Sequence, residues 1–259
     1  MTKREIPKAL QPRQCAVPVV LISFNRPEET ARVFAAIAAA RPPVLLSVCD
    51  GPRADHPQDE ALCAQVRRIV SNVDWPCEVH RNWAETNMGC GKRVSSGLDW
   101  AFTMVDRAIV LEDDCVPHPS FFPYCAELLE RYADDERVFM ITGHNHLGHY
   151  RAHCSYVFSG YADVWGWATW RRAWAHYDFA MSGWPEARDG GCMDHWFDDK
   201  LVRDAIQHEY ESTYRGEIDT WDYQWQFQCL AQGGVVAAPV RNLVTNIGDS
   251  GAHTTSRLA

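Results

Sequence analysis

No stretch of this sequence approaches the ~20 consecutive apolar residues that a membrane-spanning helix needs. The N-terminal run MTKREIPKALQPRQ contains no apolar core of a signal peptide. Ten cysteines are present, yet no Cys-x-x-Cys pair and no strong zinc spacing occurs. Scattered cysteines in a chain of this length predict reduced thiols rather than a disulfide scaffold. Neither Gly-x-Gly-x-x-Gly nor Gly-x-x-x-x-Gly-Lys-Ser/Thr is found, which disfavours a dinucleotide oxidoreductase and a P-loop NTPase. A basic excess is missing too: 25 Lys and Arg face 34 Asp and Glu, for a formal net charge of −9. That balance argues against a nucleic-acid or anionic-membrane binder. These absences predict a soluble, cytoplasmic protein with no nucleic-acid partner and at most peripheral membrane contact. Any phosphate it binds must be held by a metal and side chains, not by a glycine nest.

With 259 residues, 46% of them hydrophobic, the chain can build one large α/β domain or two small ones. Residues 1–16 read as a polar tail. VPVVLISF (17–24) is a continuous β-branched apolar run, as in a strand buried on both faces. PEETARVFAAIAAA (27–40) reads as a helix with proline at its start and acids in its first turn. Strands are expected at 43–49, 77–82, 107–112, 137–143 and 235–248. Further helices are expected at 59–72, within 85–102 where a Gly-containing loop feeds a helix, at 119–135, at 194–212 and at 220–234. This alternation predicts an α/β fold with a mostly parallel sheet flanked by helices. The stretch 144–192 has poor periodicity, which predicts long loops and short strands. One domain over 17–255 is the simplest reading, with a nucleotide-binding half at 17–143 and an elaborated acceptor half at 144–255.

In RAIVLEDDCVPHPSFFPY (107–124), four apolar residues run straight into Glu112, Asp113 and Asp114. Open α/β sheets bind ligands outside the carboxyl ends of their strands. Clustered carboxylates there suit a hard divalent cation, Mn²⁺ or Mg²⁺, that also takes substrate phosphates. In an extended segment Glu112 and Asp114 point to one side and Asp113 to the other. The alternative is a solvated acidic turn before the next helix. HNHLGHYRAHC (144–154) fits no standard four-ligand zinc set, although His144 and His146 can share a face of an extended segment. An acceptor-facing loop is the simpler reading there.

The order of FNRP, CDG, an N-M-G helix start, LEDDCVPHPSFFPY, GWATW, WDYQW and NIGDSGAHTT resembles the GT-A glycosyltransferases. Within them it is most similar to the N-acetylglucosaminyltransferase I family and its bacterial relatives in polysaccharide gene clusters. The resemblance covers about residues 17–255. It implies a GT-A fold and an inverting, metal-dependent transfer from a UDP-sugar, UDP-GlcNAc first, to a glycan, glycolipid or protein acceptor. It implies that Arg26 and Asp50 contact the uracil and ribose, that Lys92 faces the nucleotide, and that Glu112 and Asp113 contact the sugar and ribose. Asp114 is the implied metal ligand and Trp167 lines the sugar pocket. Asp222 matches the base on the W-D element, although the family has two adjacent Asp and this chain has Asp222-Tyr223; Asp219 is the reserve. The NIGDSGAHTT segment matches a closing loop, with Gly248 and Gly251 as hinges and His253 on the metal or a phosphate.

Each residue also has a plainer reading. Arg26 can form a helix-start salt bridge, Asp50 a turn before Gly51, Lys92 a solvated face, Asp222 a helix N-terminal acid, and Trp167 part of the core. Two other classes stay open. A carbohydrate-binding module that keeps the fold would bind glycan without releasing UDP. A nucleotidyltransferase that makes the sugar nucleotide would show a Gly-rich basic loop after the first strand, where this chain has FNRPEET.

Overall fold

The computed structural model describes residues 15–149 and 151–248. The chain begins with β1 (Val19–Ser23), α1 (Pro27–Ala40), β2 (Val44–Cys49), α2 (Asp59–Ser71), β3 (Glu78–Trp83), α3 (Cys90–Met104) and β4 (Arg107–Glu112). Next come β5 (Cys115–Pro117), α4 (Phe121–Arg131), β6 (Val138–Thr142), β7 (Tyr156–Ser159) and β8 (Trp167–Trp170). Short helices α5 (Arg171–Trp174), α6 (Trp184–Asp189) and α7 (Cys192–Trp196) precede α8 (Lys200–Tyr214), α9 (Asp222–Ala231), β9 (Val235–Pro239) and β10 (Val244–Asn246).

Eight strands form one sheet in the order β3-β2-β1-β4-β8-β6-β9-β7. β3, β2, β1 and β4 pair in parallel. β8 is antiparallel to both β4 and β6, which makes β6 run with β4. β9 is parallel to β6, and β7 closes the edge antiparallel to β9. The fold is therefore α/β with a large, mostly parallel central sheet flanked by helices. The sheet takes strands from both the 17–143 and the 144–255 halves.

The period-2 alternation of the strands divides their side chains between two cores. Val19, Leu21, Ile109 and Leu111 pack with Val33, Ile37, Val66 and Phe121 under α1, α2 and α4. Val20, Ile22, Ala108 and Val110 pack with Val94, Leu98, Trp174 and Trp225 under α3, α5 and α9. Helices on both faces explain why β1 reads as an unbroken apolar run and is buried along its whole length. A third cluster of Met181, Trp184, Met193, Tyr210 and Phe227 seats α6, α7 and α8 on α9.

Two boundaries differ from the sequence reading. The run 235–248 is two strands, because β9 ends at Pro239, which has no N–H to continue the ladder. β10 instead pairs antiparallel with β5, in a separate two-stranded sheet. The helix expected at 194–212 is α8, begun at Asp199, whose carboxylate accepts from the Leu201 and Val202 N–H groups. All ten cysteines are free thiols. Among the described residues no helix is long and apolar enough to cross a membrane.

The chain leaves β1 towards β2 on one side, and β4 lies on the other. This is a topological switch point, the place outside the carboxyl ends of the strands where open α/β sheets take their ligands.

The closest approach of α3 to the sheet lies at Gly97, where an added Cβ would fall 2.5 Å from Val48 Cγ1. Overpacking of this kind costs ~1–3 kcal/mol, against a helix-propensity gain of about 1 kcal/mol for alanine. Gly97→Ala should therefore lower the urea midpoint with an unchanged slope. An unchanged or raised midpoint would show that Val48 can move aside.

Candidate active site

The first residues at the switch point come from the three-residue link between β1 and α1. Pro27 starts α1 at once, so Phe24, Asn25 and Arg26 turn sharply out of the sheet. Arg26 forks onto the turn that follows β4. Its Nη1 donates to Asp114 Oδ2 at 3.0 Å, and its Nη2 donates to Asp113 Oδ1. The Phe24 N–H donates to the other Asp113 oxygen at 3.2 Å.

The expected alternation of the acidic triplet does not hold. Strand geometry ends at Glu112, and Asp113 and Asp114 form a turn. Both can therefore reach one guanidinium. In this arrangement Arg26, expected on the uracil, shares its single charge between two carboxyl groups. Burial opposes the charge on Arg26, but Asp113 and Asp114 outweigh it and raise its pKa above the ordinary value. Burial also pushes the Asp113 carboxyl up, with Arg26 opposing.

Glu112 differs from its neighbours. It is half-buried at the end of β4, in register with Ile22 of β1. Among the described residues no hydrogen bond reaches its carboxyl. Desolvation, followed by the charges of Asp114, Asp113 and Asp222, raises its pKa well above the usual carboxylate range, and Arg26 offsets only part.

Asp222 is the first residue of α9, and its charge is one of those felt at Glu112. One of its oxygens, Oδ1, accepts from the Thr220 hydroxyl and from the Tyr223 N–H at 3.0 Å. Among the described residues Oδ2 has no hydrogen bond. Asp219 is committed elsewhere: it accepts from Cys90 N–H at 2.9 Å and Gly91 N–H at 3.0 Å, and so caps α3 from a distant segment. Gly89, just before α3, has φ 84°, and a Cβ there would lie 2.6 Å from Asp219 Oδ2. Glycine is required on both counts. Cys90 lies among these acids, and desolvation first, then Glu112, Asp222 and Asp219, raise its thiol pKa.

Asp50 follows β2 but is almost fully buried. Its carboxylate accepts from the Gly51, Met88 and Asn87 donors at 2.8, 3.0 and 2.9 Å. It organises the loop before α3, and burial raises its pKa. Lys92 lies in the first turn of α3 with its side chain exposed. Trp167 is fully buried in β8, stacked on Trp221 at 5.6 Å and 22°. Its ring therefore packs in the aromatic core rather than standing at the surface, and among the described residues its indole N–H has no partner. His253 and Gly251 lie outside the described residues. Gly248 is at the triplet: a Cβ on it would lie 2.5 Å from Asp114 Oδ2 and 3.1 Å from Arg26 Nη1.

Sequence reasoning missed two buried features. Arg93 on α3 donates to Asn82 O at 2.8 Å and Asn82 Oδ1 at 2.9 Å, fixing β3 to the site. Asp163, just before β8, draws in His144 and His146. These three bring one ligand atom each within 4.8 Å of one another. Neither residue pair is near in sequence, so no spacing rule could have joined them. Two surface depressions, of about 350 Å³ beside Arg67 and Trp83 and about 550 Å³ beside Tyr124 and His153, contain none of the expected site residues.

The donor set at the triplet suits a hard cation held by one or two carboxylates. Asp114 and Glu112 offer oxygen ligands, and Glu112 lacks any compensating donor among the described residues.

No protein-family model matches the chain, and no curated protein matches it. Similar solved structures include a cytidylyltransferase from Leptospira borgpetersenii, at 9% identity and TM-score 0.37, of which this chain spans 64%. A UDP-glucose pyrophosphorylase complexed with UDP-glucose is also similar, at 9% identity and TM-score 0.39, with 88% of this chain and 92% of that one covered. An inositol-1-phosphate CTP transferase from T. maritima aligns at 9% identity and TM-score 0.43, covering 91% and 90%. At such scores these likenesses carry no argument about chemistry.

The raised Glu112 pKa gives a pH signature. The folded state holds this proton where the unfolded chain, with a pKa near 4.5, has lost it. Stability therefore falls as pH rises from about that value towards the folded pKa. Glu112→Gln should match the parent near pH 4 and exceed it in stability at pH 8. Urea midpoints at both pH values check this; an equal difference at both would mean that folding leaves the carboxyl unperturbed.

Proposed function

We propose that the chain is an inverting, metal-dependent glycosyltransferase that uses a UDP-sugar, UDP-GlcNAc first, with Asp222 as its base. The observation that carries this reading is the electrostatic coupling of Asp222 to the acids at the end of β4. Asp222 has an oxygen without a hydrogen bond among the described residues, and its charge is among those that raise the Glu112 pKa, after burial, Asp114 and Asp113. Asp219, the reserve base, has both oxygens on α3 N–H groups, which favours Asp222.

In this proposal Asp222 Oδ2 accepts the proton of an acceptor hydroxyl. That oxygen forms a bond to the anomeric carbon as the bond from that carbon to the UDP oxygen breaks on the opposite face, inverting the centre. Asp114 holds Mn²⁺ or Mg²⁺, with Glu112 beside it, and a bound cation supplies charge for the leaving diphosphate. Asp113 acts as a strut, fixing Arg26 and the end of β1. Arg26, the one cation paired to the triplet among the described residues, is positioned to share its donors with phosphate or uracil oxygens. Asp50 shapes the nucleotide-side loop, and Lys92 is available to the diphosphate. His253 would act from the segment after Gly248.

A thermal-shift series with UDP, GDP, CDP and dTDP, each with Mn²⁺ or chelator, tests the donor class. A shift with UDP and Mn²⁺ that vanishes on chelation and in Asp114→Ala is expected. Asp222→Asn should keep that shift and lose UDP release from the UDP-sugar by ~100-fold or more. Full activity in Asp222→Asn would remove it as the base. UDP binding with no transfer to any acceptor would indicate a binding module. Exchange of pyrophosphate with a UDP-sugar would indicate a nucleotidyltransferase.

A further inference from the structure

A second constellation lies at the same end of the sheet. His144 follows β6 by two residues, with its N–H on Thr142 Oγ1 at 3.1 Å. Asp163 precedes β8. Both are about nine-tenths buried. His144 Nδ1 and His146 Nε2 each lie 2.6 Å from the same oxygen, Asp163 Oδ2. The other Asp163 oxygen accepts from the Trp165 N–H at 3.2 Å, which fixes the carboxylate plane. The Trp165 ring flanks both imidazoles, at centroid distances of 4.6 and 5.9 Å.

We infer that His144, His146 and Asp163 form a binding site for a divalent transition cation of the zinc class, separate from the acidic triplet. Two imidazole nitrogens and one carboxylate oxygen are the donors such ions prefer, whereas Mg²⁺ and Ca²⁺ prefer oxygen throughout. A tetrahedral ion with bonds of about 2.0–2.2 Å sets its ligand atoms roughly 3.3–3.5 Å apart. That spacing lies between the 2.6 Å contacts and the 4.8 Å span of the set, so small side-chain rotations suffice. Each neutral ring ligates through the nitrogen now aimed at Asp163 and carries its proton on the other nitrogen. The Trp165 N–H supplies the outer bond that orients a ligating carboxylate. Three protein ligands leave one position for water. The ion would staple the segment after β6 to the segment before β8, extending the β6–β8 pairing and the Gly143 N–H to Gly166 O bond beyond the end of the ladder. His146 is 6.2 Å from Tyr161, whose phenol feels the charges of both Asp163 and Asp222, so the staple borders the proposed acceptor side. The inference does not depend on the transferase reading.

The test removes the triplet first. Untagged Asp114→Ala protein is equilibrated with Zn²⁺, desalted and assayed for metal. One Zn²⁺ per chain is expected. In the Asp114→Ala/His146→Ala protein, affinity should fall by more than ~100-fold. His146 has a side chain 60% exposed, so its loss leaves the core intact, checked by equal melting of the two proteins in chelator. Co²⁺ in place of Zn²⁺ should give the visible absorption of a four-coordinate site in the first protein and not in the second. Absence of retained Zn²⁺ in Asp114→Ala, or equal retention with and without His146, would overturn the inference.

Discussion

One guanidinium holds the centre of this molecule together. Arg26 must satisfy Asp113 and Asp114 at once, and doing so ties the end of β1 to the turn after β4. Those strands are neighbours in the sheet, and their carboxyl ends flank the switch point. Asp113 is nearly fully buried, and its second oxygen takes the Phe24 N–H. Without Arg26 a buried carboxylate would face another with no cation among the described residues, a loss of roughly 3–5 kcal/mol for a broken buried pair. The same contact explains why the triplet can follow an apolar strand. The single charge of Arg26 is shared by Asp113 and Asp114, and Glu112 is the carboxyl it does not pair with. In the proposed reading a bound cation would complete the cluster.

The strands and helices that were legible in the sequence are those whose signal is local. VPVVLISF is buried on both faces, so its apolar run needed no context. Pro27 and the acids after it mark the start of α1, which ends at Ala40 where the apolar pattern ends. The region 144–196 was legible only as irregular. β7 and β8 are four residues each, too short to show a period, and they join the sheet by pairing with strands distant in sequence. Trp167 illustrates the limit well. GWATW offers an aromatic that suits a sugar pocket, but a position in register with Val110, at the middle of the sheet, makes it core. The alternation expected for Glu112 to Asp114 failed for a similar reason: a turn replaces the strand one residue early, and only the Arg26 contact explains where both aspartates point.

Asp219 and Asp222 show how the tertiary fold assigns roles that the sequence leaves open. Both flank Trp221 in DTWD, and both have the chemistry of a base. α3 begins at Gly89 and Cys90 with no capping side chain of its own. Its exposed N–H groups need an acceptor, and a carboxylate at a helix N-terminus is favoured by hydrogen bonding and by the helix dipole together. Asp219 meets that need and so fixes α3 against the start of α9. Asp222 begins α9 and is oriented by the Thr220 hydroxyl and the Tyr223 N–H, both of which donate to one of its oxygens. The spare oxygen then has no hydrogen bond among the described residues, and the charge of Asp222 is felt at Glu112. A base must be held in position and still have a lone pair to offer, and of the two acids only Asp222 meets both conditions. Asp219 therefore joins α3 to the segment that leads into α9, while Asp222 keeps one carboxylate oxygen without a hydrogen bond among the described residues.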